Sequence, residues 1–595
     1  MTPRPDFAHH PDRSHHTGHG PHGEDRPLRR RTGSDQDLIA DLGRLDGRNY
    51  GSYKSVVGDW DYGDFELAID RIQSDPYAPP SSLRVGTTPK RMGLPPEAVS
   101  TSDQRLATAD YLVRVFEAAI REISPHGAVR VARAGQEILQ RSAVTVTPDH
   151  VEIRFQVQMP ARGRTIMGRE AARLFDVDVP DIVMATFDFV SDSPEVAAQM
   201  AGLRAHVAAF EDHRALRAAL VEHGWVAFVA DGAVLARRSG VSQAPMEGAV
   251  SFSSPDSLRA EVDLPHAGTV TGMALPPGVT VIVGGGYHGK STLLGAIQRG
   301  VDAHVPGDGR ELVATLADAM KVRAADGRSV TGVDVSPFIT HLPDGSDTRD
   351  FSTQNASGST SQAASLVEAV ELGSPLLLLD EDTSATNLLI RDSRMRALVA
   401  AEKEPITPLV DRVGALAHER GVSTVMVMGG SGDYLDVADL VLMMDTYRCL
   451  DVTGRAREVV ASQPRTRSDL PTFHEGGPRA PMRARGSGDR PKTKSSGLDT
   501  IVLDKQDIDL ADVEQVVDPG QTEAIAWALR GLLEELADAR TPLPDLLDRL
   551  ERTLNSEGLD ALCAFGARPY PAFLVRPRRI DIGAALNRYR ALALA

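Results

Sequence analysis

Between residues 104 and 122, apolar side chains recur at Leu106, Ala109, Leu112, Val113, Phe116 and Ile120, a spacing that lays them on one face of a helix. The run 151–157 alternates instead, with Val151, Ile153, Phe155 and Val157 on one face, and predicts a strand. Residues 224–235 read as two short strands about the turn Asp231-Gly232. These elements predict an α+β unit over residues 36–245. From 246 to 460, apolar strand runs alternate with helical stretches, the pattern of an α/β fold. Helical spacing returns at 522–537 and 543–554, inside a small, mainly helical unit over 498–595. The stretches 1–35 and 461–497 carry no such pattern, and no solenoid-type repeat is present.

Composition narrows the class. Of 595 residues, 42% are hydrophobic and 25% charged, which is globular usage and excludes fibrous or mainly disordered chains. No stretch approaches the ~18 consecutive apolar residues that cross a bilayer, so no membrane association is expected. The start lacks the apolar core of a secretory signal, and the two cysteines, Cys449 and Cys563, lie far apart. A cytoplasmic protein without a disulfide framework is expected. Residues 1–35 gather His9, His10, His15, His16, His19 and His22 at irregular spacing, which predicts a disordered His-rich tail and implies no metal cage.

The net charge is −17, so nucleic acid could be held only by a local basic patch. Two places offer one. The low-complexity linker 461–497 carries Arg465, Arg467, Arg479, Arg483, Arg485, Arg490, Lys492 and Lys494 against Asp469, Glu475 and Asp489. Arg162, Arg164 and Arg169 follow the strand at 151–157, and Tyr50, Tyr53 and Lys54 lie earlier. Basic and aromatic groups together could grip single-stranded nucleic acid, RNA included, by charge and stacking; a structural loop with surface arginines is the plainer alternative.

The chemistry concentrates after residue 279. Val279–Val283 is a short β-branched run that reads as a buried strand, and it leads into Gly284, Gly285, Gly286, Tyr287, His288, Gly289, Lys290, Ser291 and Thr292. This is a strand-to-helix phosphate loop of the GxxxxGK[ST] type. Glycine lets successive backbone N–H groups turn toward nucleotide phosphates, Lys290 reaches the terminal phosphates, and the Ser291 hydroxyl ligates Mg2+. A helix beginning at Thr292 adds its positive dipole end. Ninety residues on, four leucines end at Asp380 and Glu381, a core strand entering a polar cleft. Asp380 is expected in the magnesium shell, and Glu381 as the group that orients and deprotonates the attacking water. One magnesium suffices, because the triphosphate supplies the remaining ligands.

A third element distinguishes the kind of NTPase. Asn355-Ala356-Ser357-Gly358-Ser359-Thr360-Ser361-Gln362 is a Ser/Gly turn opening a helix that runs into the Asp380 strand. Its place resembles that of the LSGGQ-like sequence of ABC-type ATPases. With GGGYHGKSTLL, HVPGDGRE, LLLLDEDTSATN and MGGSGDY, the chain resembles the predicted ATPases of the ABC class, a group distinct from transporter subunits. GRNYGSYK, QSDPYAPPSSLR, PARGR and VAFVADGAVLARRSG extend the resemblance over about residues 38–595.

The resemblance implies a P-loop NTPase domain of ABC type between N- and C-terminal accessory domains, binding and hydrolysing ATP. It further implies a homodimer in which Ser357, Gly358 and Ser359 donate to the γ-phosphate held by the partner, with Ser384-Ala385-Thr386-Asn387 crossing the same interface. A eukaryotic branch tied to RNA processing makes RNA the expected ligand of the accessory domains. The alternative is an ATP-gated switch that binds a protein partner. Two departures bear on rate. The segment Gly429-Gly430-Ser431-Gly432-Asp433 carries no histidine at the switch position, leaving Ser431 or a backbone N–H to contact the γ-phosphate, and residues 310–345 contain no glutamine. Hydrolysis is therefore expected to be slow. His266 is the candidate to stack on adenine. Asp302, His304, Asp308, Arg310 and Glu311 form either an internally bridged turn or a ring near the nucleotide.

Overall fold

The computed structural model describes residues 30–343, 345–391, 398–399, 403–463, 473–474, 476–484 and 491–595. The histidine cluster of the N-terminal tail lies outside these residues, as do Arg465, Arg467, Asp469, Glu475, Arg485, Asp489 and Arg490. Arg31–Ser34, expected within the tail, is a strand, β1. Ser34 closes a capping box on helix α1 (Asp35–Arg44): its hydroxyl accepts the Asp37 N–H (3.3 Å), and Asp37 Oδ2 accepts the Ser34 N–H (3.0 Å). Strands β2 (Gly58–Asp61), β3 (Glu66–Arg71) and β4 (Ser81–Thr87) follow. Helix α2 (Ser102–Ile123) buries Ala109, Leu112, Val113, Phe116 and Ile120, the stripe that the spacing predicts. Strands β5 (Val129–Arg130), β6 (Val144–Val146) and β7 (Val151–Val157) complete a sheet of order β1-β2-β3-β4-β7-β5, with β6 also on β7.

Strand β7 buries Val151, Ile153, Phe155 and Val157 on its apolar face, but its other face is not wet. Glu152 and Arg154 there are buried too, in a ladder that crosses to the C-terminal unit. Arg84 joins Asp70 (2.7 Å) and Glu152 (2.7 Å), and Arg154 joins Glu152 (2.8 Å) and both oxygens of Asp560 (2.6 and 2.8 Å). Burial alone pushes the Glu152 pKa up, yet the Arg154 and Arg84 guanidiniums hold it below the usual carboxylate range. The ring of Tyr570 lies 3.9 Å from the Arg84 guanidinium carbon. A second buried ion cluster binds the same two units, with Arg141 between Asp110 (3.0 Å) and Asp518 (2.6 Å) and His206 on Asp110 (3.1 Å).

After the short hairpin β8 (Ala161–Arg162) and β9 (Thr165–Ile166) comes the 30-residue helix α3 (Pro194–His223). Its first half packs Leu203, Val207 and Phe210 into the N-terminal core, while Leu216 and Leu220 pack on the next sheet. That sheet is antiparallel, of order β11-β12-β10-β14, built from β10 (Ala227–Ala230), β11 (Arg259–Leu264), β12 (Gly268–Leu275) and, after β13 (Val279–Val283), β14 (Val313–Thr315). Two expectations change here. The hairpin predicted at 224–235 has only its first strand, because β12 and β14 already occupy both edges of β10 and leave none for a partner after Asp231-Gly232. For the same reason a boundary at 245 would cut through a sheet.

The α/β body is a six-stranded sheet, β15-β16-β17-β13-β18-β19, made from β13 with β15 (Met320–Lys321), β16 (Leu376–Asp380), β17 (Ser423–Val427), β18 (Leu440–Asp445) and β19 (Arg448–Asp451). All neighbours are parallel except β18 and β19. Helices α4 (Lys290–Arg299) and α5 (Gly358–Glu371) cover it. The C-terminal unit opens with three antiparallel strands, β20 (Thr493–Ser496), β21 (Thr500–Leu503) and β22 (Gln506–Asp509), a sheet that the helical pattern did not predict. Helices α6 (Pro519–Gly531), α7 (Leu543–Glu557) and α8 (Arg579–Leu586) follow. The described part of the expected linker is no free tether: Arg479 is buried on Glu371 and donates to Asn587 Oδ1 (2.8 Å), and the Met482 N–H donates to Ala593 C=O (2.8 Å).

Removing one partner of a buried ion cluster strands the other, so Arg141→Ala should lower stability by about 3 kcal/mol. The surface variant Arg169→Ala should leave the melting temperature where it was, as circular dichroism will read.

Candidate functional site

Because β13, β16 and β17 run parallel, the loops after their carboxyl ends leave one edge of the sheet, where α/β folds place ligands. The loop after β13 is glycine-rich for a steric reason. Gly284 has φ 143°, and a Cβ there would stand 2.3 Å from Met444 C=O; Gly289, at φ 98°, is the N-cap of α4. Tyr287 holds a left-handed φ of 63° with its side chain fully exposed. Gly285 and Gly286 lie between, and Ser291 is exposed on the first turn of α4 with Thr292 half-buried beside it. The turn joining β18 to β19 braces the loop: the Thr446 N–H donates to His288 Nδ1 (3.0 Å) and the Tyr447 N–H to His288 C=O (3.0 Å). Thr446 and Tyr447 are both left-handed, which no sequence pattern announced.

Charged groups in this edge satisfy themselves internally. Lys290 Nζ donates to the carbonyls of Gly284 (2.8 Å) and Gly285 (2.9 Å) in its own loop. Glu381 accepts two backbone N–H groups on Oε2, from Gly429 and from Gly430 (2.9 Å). The switch segment thus meets the expected base through paired amides. Ser431 does something else: its hydroxyl accepts the Asp433 N–H (3.2 Å), opening the short helix Asp433–Asp436. Asp380 is buried at the end of β16, its Oδ1 accepting the Asp382 N–H (3.2 Å).

Ser291, on the first turn of α4, and Asp380, at the end of β16, are hard oxygen donors, the chemistry a magnesium ion takes. Among the described residues no group of three or more His, Cys, Asp or Glu could hold a metal ion.

The Ser/Gly element opens α5 as the pattern predicts. Ser357 is its N-cap, accepting the Thr360 N–H, and Gly358 has Asp326 Oδ1 3.0 Å from where a Cβ would stand. The structure ties this tip to the loop after Glu381. Ser359 Oγ donates to Asn387 Oδ1 (2.8 Å), Gln362 Nε2 donates to Ser384 Oγ (2.9 Å), and the Ala385 N–H donates to Gln362 Oε1 (2.8 Å). Gln362 is fully buried in that role.

Other candidates fall elsewhere. His266 pairs with Glu211 (2.7 Å) and its N–H donates to Asp212, both on α3, so its side chain serves the β11–β12 turn and touches no residue of the phosphate loop. The cluster at 302–311 is a turn bridged both within itself and to the segment 235–237: Asp308 takes His304 (2.8 Å) and Arg237 (2.9 Å), and Arg310 donates to Leu235 C=O. Tyr50 and Tyr53 are buried, their hydroxyls donating to Met159 and Pro160 carbonyls, so neither can stack on a base. Arg162, Arg164 and Arg169 are exposed on or just after the β8–β9 hairpin.

Residues 199–477 match the family model of the ABC ATPase P-loop domain, residues 35–188 that described as the N-terminal part of an ATPase of the ABC class, and residues 492–595 the MRB1590 C-terminal domain. A curated relative, an uncharacterized protein of Methanocaldococcus jannaschii, is 29% identical over 252 residues. That match takes in 40% of this chain and 54% of the relative, so the chain spans about half the relative's length. Among solved structures, cbiO1 from Clostridium perfringens, part of the ABC transporter complex cbiONQ, is 15% identical with a TM-score of 0.24 over 40% of this chain and 92% of that one. An ATP-binding cassette of an ABC transporter in its ADP conformation is 12% identical with a TM-score of 0.22, over 33% and 89% of the two chains.

A side chain at position 284 meets a backbone carbonyl. Gly284→Ala should cost about 1–3 kcal/mol of stability and abolish nucleotide binding, read by thermal melting and isothermal titration.

Proposed function

Because the chain belongs to the family of ATPases of the ABC class, we propose that it closes as a homodimer around two ATP molecules, hydrolyses them slowly with magnesium, and engages RNA through its N-terminal domain. The observation that carries the nucleotide part is the convergence of Lys290, Asp380, Glu381 and the Gly429-Gly430 amides on one sheet edge. Lys290 leaves the carbonyls of its own loop for the β- and γ-phosphates, and the amides of residues 285–289 face the same oxygens. Ser291 and Asp380 would hold the magnesium, which would supply charge neutralisation on those phosphates. Glu381 takes the proton of the attacking water. Its carboxylate must first be released by, or shared with, the two amides, which is why turnover is slow. Ser357, Gly358 and Ser359 seal the partner's nucleotide, and their tie to residues 384–387 makes tip and interface loop move as one piece.

The RNA reading rests on exposed charge alone, since Tyr50 and Tyr53 are core residues. Arg48 and Lys54, also exposed, lie on the segment bridged to this hairpin and enlarge the patch around Arg162, Arg164 and Arg169. Recognition of this kind is of the phosphate backbone and carries little sequence preference. The net charge of −17 favours the rival reading, an ATP-gated switch with a protein partner. We place the chain in the cytoplasm, in keeping with two unpaired cysteines and with the finding that no described helix is long and apolar enough to cross a membrane.

Lys290→Ala should weaken ATP binding by about 100-fold, the worth of charge-assisted phosphate bonds, as titration calorimetry will measure. Glu381→Gln should lower kcat by about 100-fold or more and hold the ATP-bound dimer in size-exclusion chromatography; a monomer there would break the sandwich reading. Replacing Arg162, Arg164 and Arg169 with Ala should reduce the slope of log K against log salt for RNA by about 2–3. An unchanged slope would leave the protein-partner reading in its place.

A further inference from the structure

The helix that presents Ser357 is held at both ends by the last residues of the chain. At the carboxyl end of α5, Arg579 Nη1 donates to Leu372 C=O (2.8 Å). Gly583 of α8 packs so closely there that a Cβ would come within 2.5 Å of Leu372 Cδ2. Along the middle, Arg328 reaches Glu368 of α5 (2.7 Å), and Ser329 Oγ donates to Arg588 C=O (3.2 Å). Arg588 is itself buried on Asp512.

At the amino end the contact changes character. Arg590 is exposed, yet its guanidinium donates from Nη2 to Gly327 C=O (2.8 Å) and from Nη1 to Gln354 C=O. Gln354 Nε2 returns a bond to Arg590 C=O (3.2 Å). Gly327 and Gln354 flank the residue before the tip, since the Gly327 N–H donates to Ala356 C=O (2.8 Å) and the Ala356 N–H to Arg328 C=O (2.9 Å). Gln354, Asn355 and Ser357 are exposed, and between them only Ala356 reaches the core. One planar fork from the C-terminal unit spans both of its sides.

We propose that Arg590 is a positioning residue for the nucleotide contact made across the dimer: by clamping Gly327 and Gln354 it fixes the aim of the Ser357–Ser359 tip at the partner's γ-phosphate. The C-terminal unit thereby governs closure of the pair and not capture of ATP by one protomer. The proposal rests on the ATP-sandwich reading above. Arg590 acts through Gln354, Gly327 and Ala356 and touches no nucleotide itself. Its exposure means that its loss leaves no buried charge behind.

The test uses the full chain with AMP-PNP, which separates closure from hydrolysis. Arg590→Ala should raise the protein concentration for half-maximal dimer in sedimentation by about ten- to a hundred-fold, the worth of two charge-assisted bonds. AMP-PNP affinity at protein concentrations where only monomer exists should be unchanged. With ATP, kcat should fall while KM holds. Arg590→Lys, with one compact donor group in place of the fork, should restore part of the dimer. A dimer of wild-type strength from Arg590→Ala, alongside a weakened one from Ser357→Ala, overturns the proposal and leaves the sandwich standing. Normal dimers from both variants overturn the sandwich, and the proposal with it. A large fall in melting temperature for Arg590→Ala would mark a structural brace and also overturn it.

Discussion

Backbone amides that face a cleft need an acceptor, and this requirement organises the whole sheet edge. Parallel pairing of β13, β16 and β17 sends three loops out side by side, each with N–H groups or carboxylates left over from its strand end. The loops complete themselves and one another. Lys290 satisfies carbonyls of its own turn, and Glu381 satisfies the amides of Gly429 and Gly430. A triphosphate bound as proposed would compete with both. It would offer the amides a stronger anion and the ammonium a better partner, so that binding would exchange internal charge-assisted bonds for external ones.

The flanking units are built into the same electrostatic fabric and do not hang from it. Guanidinium–carboxylate ladders run from β3, β4 and β7 to Asp560, and from Asp110 through Arg141 to Asp518. Desolvating so many charges is tolerated only because nearly every one meets an opposite charge at hydrogen-bond distance. Such interfaces favour one geometry over others more than they add net stability. Helix α3 contributes the apolar counterpart, with one half in the N-terminal core and the other on the antiparallel sheet.

What could be read from the residues follows from how local each feature is. The phosphate loop was legible because strand, glycines, Lys290 and helix are contiguous, and the Ser357 cap because it lies one turn from the N–H it accepts. Helix α2 and strand β7 were legible in one face each, since periodicity reports which residues share a side. The second face of β7 was not, because Glu152 and Arg154 look like solvent residues until Asp560 arrives from 406 residues away. Tyr50 and Tyr53 beside arginines resembled a stacking platform, but their hydroxyls reach carbonyls more than a hundred residues on. Edge strands mislead in the same manner: the hairpin expected after Asp231 failed because β12 and β14, distant in sequence, had taken both sides of β10. His266 likewise belongs to a helix that its neighbours in sequence do not reveal.

The far end of α4 is gripped from every direction. Gln298 meets Glu514 C=O (3.1 Å), Arg299 meets Glu137 (3.5 Å), His213 donates to Gly300 C=O (3.3 Å), and Arg217 donates to Val301 C=O (3.4 Å). Burial drives the His213 pKa down to about 3, so its ring stays neutral and its bond to Gly300 persists at physiological pH. A rod fixed this way at its tail cannot slide or tilt when its head takes up an anion without tugging both flanks at once. The two outer units therefore feel any such stroke together, as the arms of a balance share one beam.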